Sequence, residues 1–384
     1  MENGESRPAV LIIGGLGYIG RFLTNYICAN QLASTVRIVD KLLPQLASLA
    51  PEHVEACSVN FVQADASRET SQARIFDLPP HADGSKREFD YVFNCGGETR
   101  FSQEDEVYKL RSYDLSLTVG KEAAKRGVKA MIEASTGAVY SANKQPQKET
   151  DKTGKPHTKQ AKWKLAAEED LAKVDKLRLC IVRLPFVYGA YAAKGWLGTQ
   201  LALARVYQSR EPKETLKWLW GPDLKTNTLH IDDAVRALWM AAQWREKNDA
   251  IPNAEGQKII FNVVDHGATC QGTMAGIVHE IFDIETGFQN SIVNTFARLN
   301  LERVVDELND DTLDDWADLL TDAGIQNGSP LSPFMEKELL RDSDLSLDGS
   351  RFERVVGFRP EHPTITKDKV QAVIDSYRKM GWWP

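Results

Sequence analysis

The sequence has no apolar run approaching the ~18 residues a membrane span needs, no internal repeat, no low-complexity tract and no excess of basic charge. Its five cysteines, Cys28, Cys57, Cys95, Cys180 and Cys270, are scattered, odd in number and mostly set in apolar runs. They show no metal-ligand spacing and read as buried free thiols, so neither a disulfide framework nor a metal centre is expected. The opening Met-Glu-Asn-Gly-Glu-Ser-Arg-Pro has neither the basic start nor the apolar core of a signal peptide. The expected location is the cytosol, with the nucleus also open. A net charge of −7 argues against a general nucleic-acid or anionic-membrane surface. Small molecules or other proteins remain as partners.

What is present suits a large globular fold. The 384 residues are 42% hydrophobic and 26% charged, enough for a sizeable core and for roughly two to three domains. The most informative stretch runs from Ala9 to Gly20 as Ala-Val-Leu-Ile-Ile-Gly-Gly-Leu-Gly-Tyr-Ile-Gly. An apolar, β-branched run gives way to glycines and then to a helical pattern over Tyr18 to Cys28, so it predicts strand, tight turn, helix. Gly14 permits the turn, Gly17 lets the backbone approach a pyrophosphate, and Gly20 lets the helix lie close on the strand. Tyr18 and Ile19 begin the helix, whose unpaired N–H groups and positive dipole end attract phosphates. The next apolar run, Thr35 to Val39, ends in Asp40, where a carboxylate accepts from the adenosine ribose hydroxyls. That acid favours NAD over NADP, whose extra phosphate it repels.

Further strands and helices alternate along the chain. A short helical stretch is expected over Lys41 to Leu49, then a strand from Val59 to Ala64 ending in Asp65. Asp65 can accept from an adenine amine or cap a helix from Ser67. After a loop at 79–88, a strand over Phe89 to Cys95 runs into Gly96 and Gly97, small residues against which a cofactor can lie. A helix is expected over Gln103 to Arg126, stopped by Gly127. A strand over Lys129 to Ala134 leads to Ser135, Thr136, Val139 and Tyr140, and a polar loop spans 141–158. A helix from Lys159 carries Lys164, and a strand over Arg178 to Leu184 closes on Pro185, Phe186, Val187, Tyr188 and Gly189. This order implies an α/β fold, a doubly wound parallel sheet of Rossmann type with ligand at the strands' carboxyl ends.

The chain resembles the NAD-dependent epimerase/dehydratase family, the extended short-chain dehydrogenases, over about four fifths of its length. The likeness rests on the glycine stretch at 14–20, Asp40, Asp65, Ser135-Thr136 ahead of Val139-Tyr140, Lys164 to Glu168, Arg183 to Gly189 and Leu229 to Ala234. Leu347 to Arg351 and Gly357 to Pro360 look like that family's late substrate-domain segment. The resemblance implies a Rossmann domain over 7–190, rejoined at about 226–266, and a smaller, mostly helical substrate or accessory domain over 191–225 and 267–384. It also implies NAD binding through Gly14, Gly17, Tyr18, Ile19, Gly20, Asp40, Asp65, Gly96, Gly97, Lys164, Pro185 and Val187, and a homodimer paired through helices 103–126 and 159–173.

In such enzymes a Ser or Thr, a Tyr and a Lys cooperate in proton and hydride transfer. Thr136 and Lys164 match the first and last. The tyrosine should stand one helical turn before the lysine, where this chain has Gln160. Tyr140 and Lys144 satisfy the bare Tyr-x-x-x-Lys pattern, but Tyr140 closes the strand segment and Ser141 to Pro146 is turn-like, so no helix stacks that pair. Gln160 forms hydrogen bonds but carries no proton at neutral pH. His157, beside Pro156, can supply a proton in principle but is expected to be exposed.

On the substrate side, residues 196–208 read as a helix, 215–220 as a strand, Asp232 to Arg245 as a helix and Lys258 to Val264 as the seventh strand of the sheet. Trp196, Trp218 and Trp220 with Lys217 and Lys225 line a ligand site or are aromatic core and solvated lysines. The acidic run Asn309 to Asp315 reads as a helix start, Asn327 to Pro330 as a turn, and the terminal Gly-Trp-Trp-Pro as an aromatic anchor. Two functions stay open. One is an oxidoreductase or isomerase acting on a hydroxyl-bearing substrate such as a sugar nucleotide or sterol, with catalysis impaired or altered at Gln160. The other is a pseudoenzyme that holds a dinucleotide without turning it over, as a sensor or scaffold.

Overall fold

The computed structural model describes residues 7–81, 83–253, 255–325 and 328–384. Most of the opening stretch and Asn327 of the expected turn lie outside the described residues. In chain order the first half comprises β1 (Ala9–Ile13), α1 (Tyr18–Ala29), β2 (Thr35–Asp40), α2 (Pro51–Ser58), β3 (Phe61–Gln63), α3 (Gln72–Phe76), β4 (Tyr91–Asn94), α4 (Asp105–Tyr108), α5 (Leu115–Arg126), β5 (Ala130–Thr136) and α6 (Lys159–Leu171). There follow β6 (Leu179–Leu184), β7 (Phe186–Tyr188), α7 (Trp196–Ser209), β8 (Leu216–Trp218), β9 (Thr228–His230), α8 (Ile231–Lys247), α9 (Gly256–Ile259), β10 (Ile260–Asn262), α10 (Gln271–Phe282), β11 (Thr286–Phe288), α11 (Ser291–Leu299), α12 (Leu301–Asp322), α13 (Ser350–Val356) and α14 (Lys367–Lys379).

Seven strands form one parallel sheet in the order β10-β6-β5-β4-β1-β2-β3. The order reverses between β1 and β4, and the crevice at such a switch point is where doubly wound sheets take ligands. Every residue of β1 is buried, because helices cover both faces. Val10 and Ile12 pack with Leu23 and Ile27 of α1 and Leu238 of α8. Ala9, Leu11 and Ile13, pointing the other way, join Val119 and Ala123 of α5 and Leu171 of α6. Helix α1 earns its place by spacing: Gly20, Leu23, Thr24 and Ile27 form its buried stripe.

A separate core unites α7, α10, α12 and α14 with the chain terminus. Trp196, Trp218 and Trp220 are buried in it, with the indole N–H groups of Trp218 and Trp220 bonded to Gln200 Oε1 and the Leu340 carbonyl. Of the two readings of these tryptophans, the aromatic core is the one observed, and Lys217 points to solvent while Lys225 is half-buried. The terminal anchor holds, for Trp382 is buried and Trp383 stacks on Tyr377. Among the described residues no helix is long and apolar enough to cross a membrane.

Several local expectations are corrected. The segment after β2 holds only a 3₁₀ turn at Pro44–Leu46, and the helix comes later, at α2, where Pro51 takes the first-turn position it favours. The helix expected over 103–126 is interrupted by a π-helical stretch at Lys109–Asp114. The seventh strand is shorter than expected, since Gly256–Ile259 is a helical turn. The acidic run is mid-helix in α12, which starts at Leu301, because Arg210 pairs with Asp311 and Asp315 from outside the helix. Cys28 is exposed, Cys57 and Cys180 are buried, and Cys95 and Cys270 are intermediate. His157 is half-buried rather than exposed, with Nδ1 3.1 Å from the Ser343 hydroxyl.

Candidate functional site

The glycine turn stands at the carboxyl end of β1. Gly14 has φ of +70°, and a Cβ there would lie 2.6 Å from the Gly96 Cα, so the turns after β1 and β4 touch through backbone. Gly20 is as constrained, since a Cβ would meet the Gly14 carbonyl oxygen at 2.2 Å. Gly17 differs. It is exposed, and only the Gly14 oxygen at 3.1 Å lies near its missing Cβ. Arg21 N–H donates to the Gly17 carbonyl at 3.0 Å, so the amides of Tyr18, Ile19 and Gly20 precede the first helical bond and project from the positive end of α1.

Asp40 is half-buried beside this turn. Its Oδ2 accepts from Leu16 N–H at 3.2 Å and its Oδ1 from Leu42 N–H at 3.1 Å. Each oxygen keeps a further lone pair, so the carboxylate can also accept from a diol. Asp65 is otherwise disposed: its Oδ1 accepts from the Ser67 amide and hydroxyl, and Lys41 lies 3.1 Å from its Oδ2. No helix starts at Ser67, contrary to its capping reading: Asp65 closes a local turn ahead of a 3₁₀ turn at Glu69–Ser71 and of α3. Burial pushes its pKa up, and the bonds from Ser67 and Lys41 outweigh that and lower it. Pro185 is buried and Val187 half-buried at the far side of the sheet.

The second half of the site lies where β4 and β5 end beneath α6. Thr158 caps α6 by accepting from Ala161 N–H, which starts the helix at Lys159 and stacks Gln160 over Lys164. Thr136 Oγ1 accepts from Ala138 N–H at 3.1 Å, which leaves its proton to donate. Gln160 Nε2 donates to the Glu98 carbonyl at 3.1 Å. Lys164 is 7% exposed, and its Nζ donates to the Ala134 carbonyl at 2.8 Å, to Glu133 Oε1 at 3.3 Å and to the Gly96 carbonyl at 3.3 Å. An ammonium has three protons. All three are committed inside the protein.

Glu133 was not legible as a site residue. It sits fully buried in β5, where its carboxylate also accepts from Asn94 Nδ2 at 2.6 Å and from Ser116. Burial raises its pKa against the pull of Lys164 and these donors. The signal in the sequence was a carboxylate within a strand that helices cover on both sides, since a buried charge demands a partner. Glu98, in the loop after β4, is a second buried carboxylate that sequence reading missed. Burial pushes its pKa up, but bonds from Arg100 and Arg111 outweigh that and hold it at about 2. Arg111 and Ser112, which accepts from Glu98 N–H, both lie in the π-helical stretch, and such stretches recur at functional sites.

The rival Tyr140 and Lys144 are split apart by the fold. Tyr140 is buried with its hydroxyl bonded to Asn262 and Arg183, and Arg183 also grips Glu168. Lys144 pairs with Asp223 on the surface. A cavity of about 1050 Å³ is lined by Ser141, His157, Trp220, Arg298, Arg341 and Ser343 among others. Burial, and then the nearby Arg341 charge, lowers the His157 pKa.

Comparison with known proteins follows the same lines. The profile of the NAD dependent epimerase/dehydratase family matches residues 10–262. No curated protein matches the sequence. Among solved structures, UDP-galactose 4-epimerase is similar with a TM-score of 0.62 and 17% identity, covering 98% of this chain and 100% of that one. The Bordetella bronchiseptica enzyme WbmG, in complex with NAD and UDP, gives 0.64 and 17% over 99% and 96%. A double mutant of DesIV, a dTDP-glucose 4,6-dehydratase from Streptomyces venezuelae with NAD and DAU bound, gives 0.64 and 17% over 97% and 98%. At these identities the likeness establishes the fold.

Proposed function

The chain belongs to the NAD dependent epimerase/dehydratase family, and from that premise we propose that it binds NAD and a hydroxyl-bearing ligand of the nucleotide-sugar class, with the family's proton transfer silenced. NAD suits the glycine turn: the Tyr18 and Ile19 amides meet the pyrophosphate above Gly17, and Asp40 accepts from the ribose hydroxyls. Gly96 and Gly97 leave room for the nicotinamide end. The similar structures in complex with NAD and with UDP or DAU support both ligand classes. Bound NAD supplies a hydride acceptor and nothing more.

The observation that carries the silencing is the state of Lys164. For catalysis the lysine must hold the nicotinamide ribose and depress the phenol pKa one turn before it. Here Glu133 and two carbonyls take its three protons, and the residue one turn before is Gln160. Thr136 keeps a hydroxyl proton with which to orient a substrate oxygen, so the site recognises without transferring. Positioned acid–base catalysis is worth ~10²- to 10⁴-fold, and this site lacks its carrier.

The test pairs calorimetric titration of NAD and NADH with chromatographic detection of product, alongside reduced-nicotinamide absorbance for any net oxidation, across a panel of nucleotide sugars and sterols. Saturable cofactor binding without turnover is expected. Turnover by the wild-type chain overturns the silencing, and its loss in His157→Ala would then assign the proton to His157. Absence of any dinucleotide binding overturns the whole reading.

A further inference from the structure

Away from the sheet's ligand crevice, two histidines and a carboxylate from distant parts of the chain meet at the start of α8. His230 caps this helix, its Nδ1 accepting from Asp232 N–H at 3.3 Å. His362 arrives on the segment between α13 and α14. Asp232 Oδ2 lies 3.5 Å from His230 Nδ1 and 3.7 Å from His362 Nε2, and one ligand atom from each residue falls within 4.8 Å of the others. Around a tetrahedral zinc with bonds of ~2.0–2.2 Å, ligand atoms sit roughly 3.4 Å apart. On two of the three edges the groups already stand within a few tenths of an ångström of that spacing, and a metal at His230 Nδ1 takes the lone pair that otherwise accepts from Asp232 N–H.

Surrounding residues fix this arrangement. Asp233, fully buried, accepts from the amides of Glu361 and His362 at 2.8 and 2.7 Å, and Arg236 balances its charge. His362 is thereby held by its backbone, with its ring turned towards Asp232 and His230. His230 packs edge-on against Tyr188 and lies 3.9 Å, centroid to centroid, from His362. A second observation points the same way. The Tyr18 hydroxyl is wholly buried without a hydrogen-bond partner, and it and His230 Nε2 lie 3.2 and 3.3 Å from where a Gly189 Cβ would stand. The positive end of α8, worth about half a charge, opposes a cation here. The acids Asp232 and Asp233 in its first turn outweigh it.

We propose that His230, Asp232 and His362 form a binding site for a divalent transition-metal ion of the zinc class, with three protein ligands and one open position. The ion clasps the start of α8 to the segment before α14, near the hydroxyl of Tyr18, whose backbone amide is proposed for the cofactor. Because no step of the proposed function passes through it, the two proposals stand or fall separately. Sequence pattern hides the site, since its histidines share no spacing.

The experiment uses the full chain without a histidine tag, titrated calorimetrically with Zn²⁺ and followed by thermal unfolding, with Co²⁺ as an optical probe of coordination. The wild type should bind one Zn²⁺, gain in melting temperature through linkage and show visible cobalt bands. Affinity should fall at least tenfold in Asp232→Asn and in His362→Ala, with the melting shift lost. His362 stands on a half-exposed segment, so its variant folds even if His230→Ala loses the helix cap. No saturable Zn²⁺ binding, or equal affinity in wild type and both variants, overturns the proposal.

Discussion

The two ends of the crevice treat their polar groups in opposite ways. After β1, the backbone is drawn tight by Gly14 and Gly20 while Gly17 and the first amides of α1 are left open, and Asp40 keeps spare lone pairs. Beneath α6, Lys164 is saturated by Glu133, Ala134 and Gly96, and Gln160 is turned onto the Glu98 carbonyl. One end offers unsatisfied donors and acceptors to a ligand; the other satisfies them internally. The two ends rest on different kinds of group, open backbone amides and a carboxylate at one and a lysine with its protons committed at the other.

The sharpest way to break this contrast is to reopen the second end. Gln160→Tyr combined with Glu133→Gln should restore a proton carrier and loosen Lys164, raising turnover of a bound nucleotide sugar by about 10²-fold or more. Chromatography of the converted nucleotide sugar reads the gain, and Gln160→Tyr alone should give less. A double variant that binds NAD yet stays as inert as the parent removes Lys164 as the cause.

Glu133→Ala leaves the Lys164 charge buried and unpaired, which costs about 3–5 kcal/mol of stability. Urea unfolding measures the loss, and the double variant with Lys164→Met should recover much of it. Additive losses would mean that the pair is not coupled.

The first end is probed by its glycines. Gly20→Ala forces a Cβ onto a backbone oxygen at 2.2 Å and should destabilise the fold by about 1–3 kcal/mol. Gly17→Ala, at an open position with φ of −64°, should change stability by less than about 0.5 kcal/mol yet weaken NAD binding several-fold in the same calorimetric titration. Equal NAD affinity in Gly17→Ala and wild type counts against phosphate approach at that glycine.

Acid separates the two ends by window. His53 packs on Phe22 of α1, and burial holds its pKa at about 4 against an ordinary value of 6.5. Between those values the unfolded chain takes a proton that the native chain refuses, so stability falls as pH drops, by at most about 1.4 kcal/mol per unit. Glu98, held at about 2, supports the second end above its ordinary value of 4.5 and withdraws that support only as pH falls from there towards 2. His53→Asn should flatten the stability profile between pH 6.5 and 4 in chemical unfolding, and an unchanged slope would exclude His53 as its source.

Much of this was legible in residue order. The glycine turn, the strand acid at Asp40 and the offset that puts Gln160 before Lys164 are local, and local steric rules decide them. The run Asn309 to Asp315 shows the limit. Acids favour helix starts, yet Arg210 reaches across from the end of α7 and holds Asp311 and Asp315 in the middle of α12. Glu133 shows it again: a carboxylate in an apolar strand announced that a partner must exist without naming it.

By itself, then, the sequence determined the parallel α/β order, the glycine-built turn and the placing of Gln160 one helical turn before Lys164, because each depends on neighbours within a turn or a strand. Only tertiary structure decided what became of Lys164, which tyrosine lies inside, and that His230 meets His362. Those outcomes depend on which side chains long-range packing brings within hydrogen-bonding reach, and burial then makes each pairing obligatory.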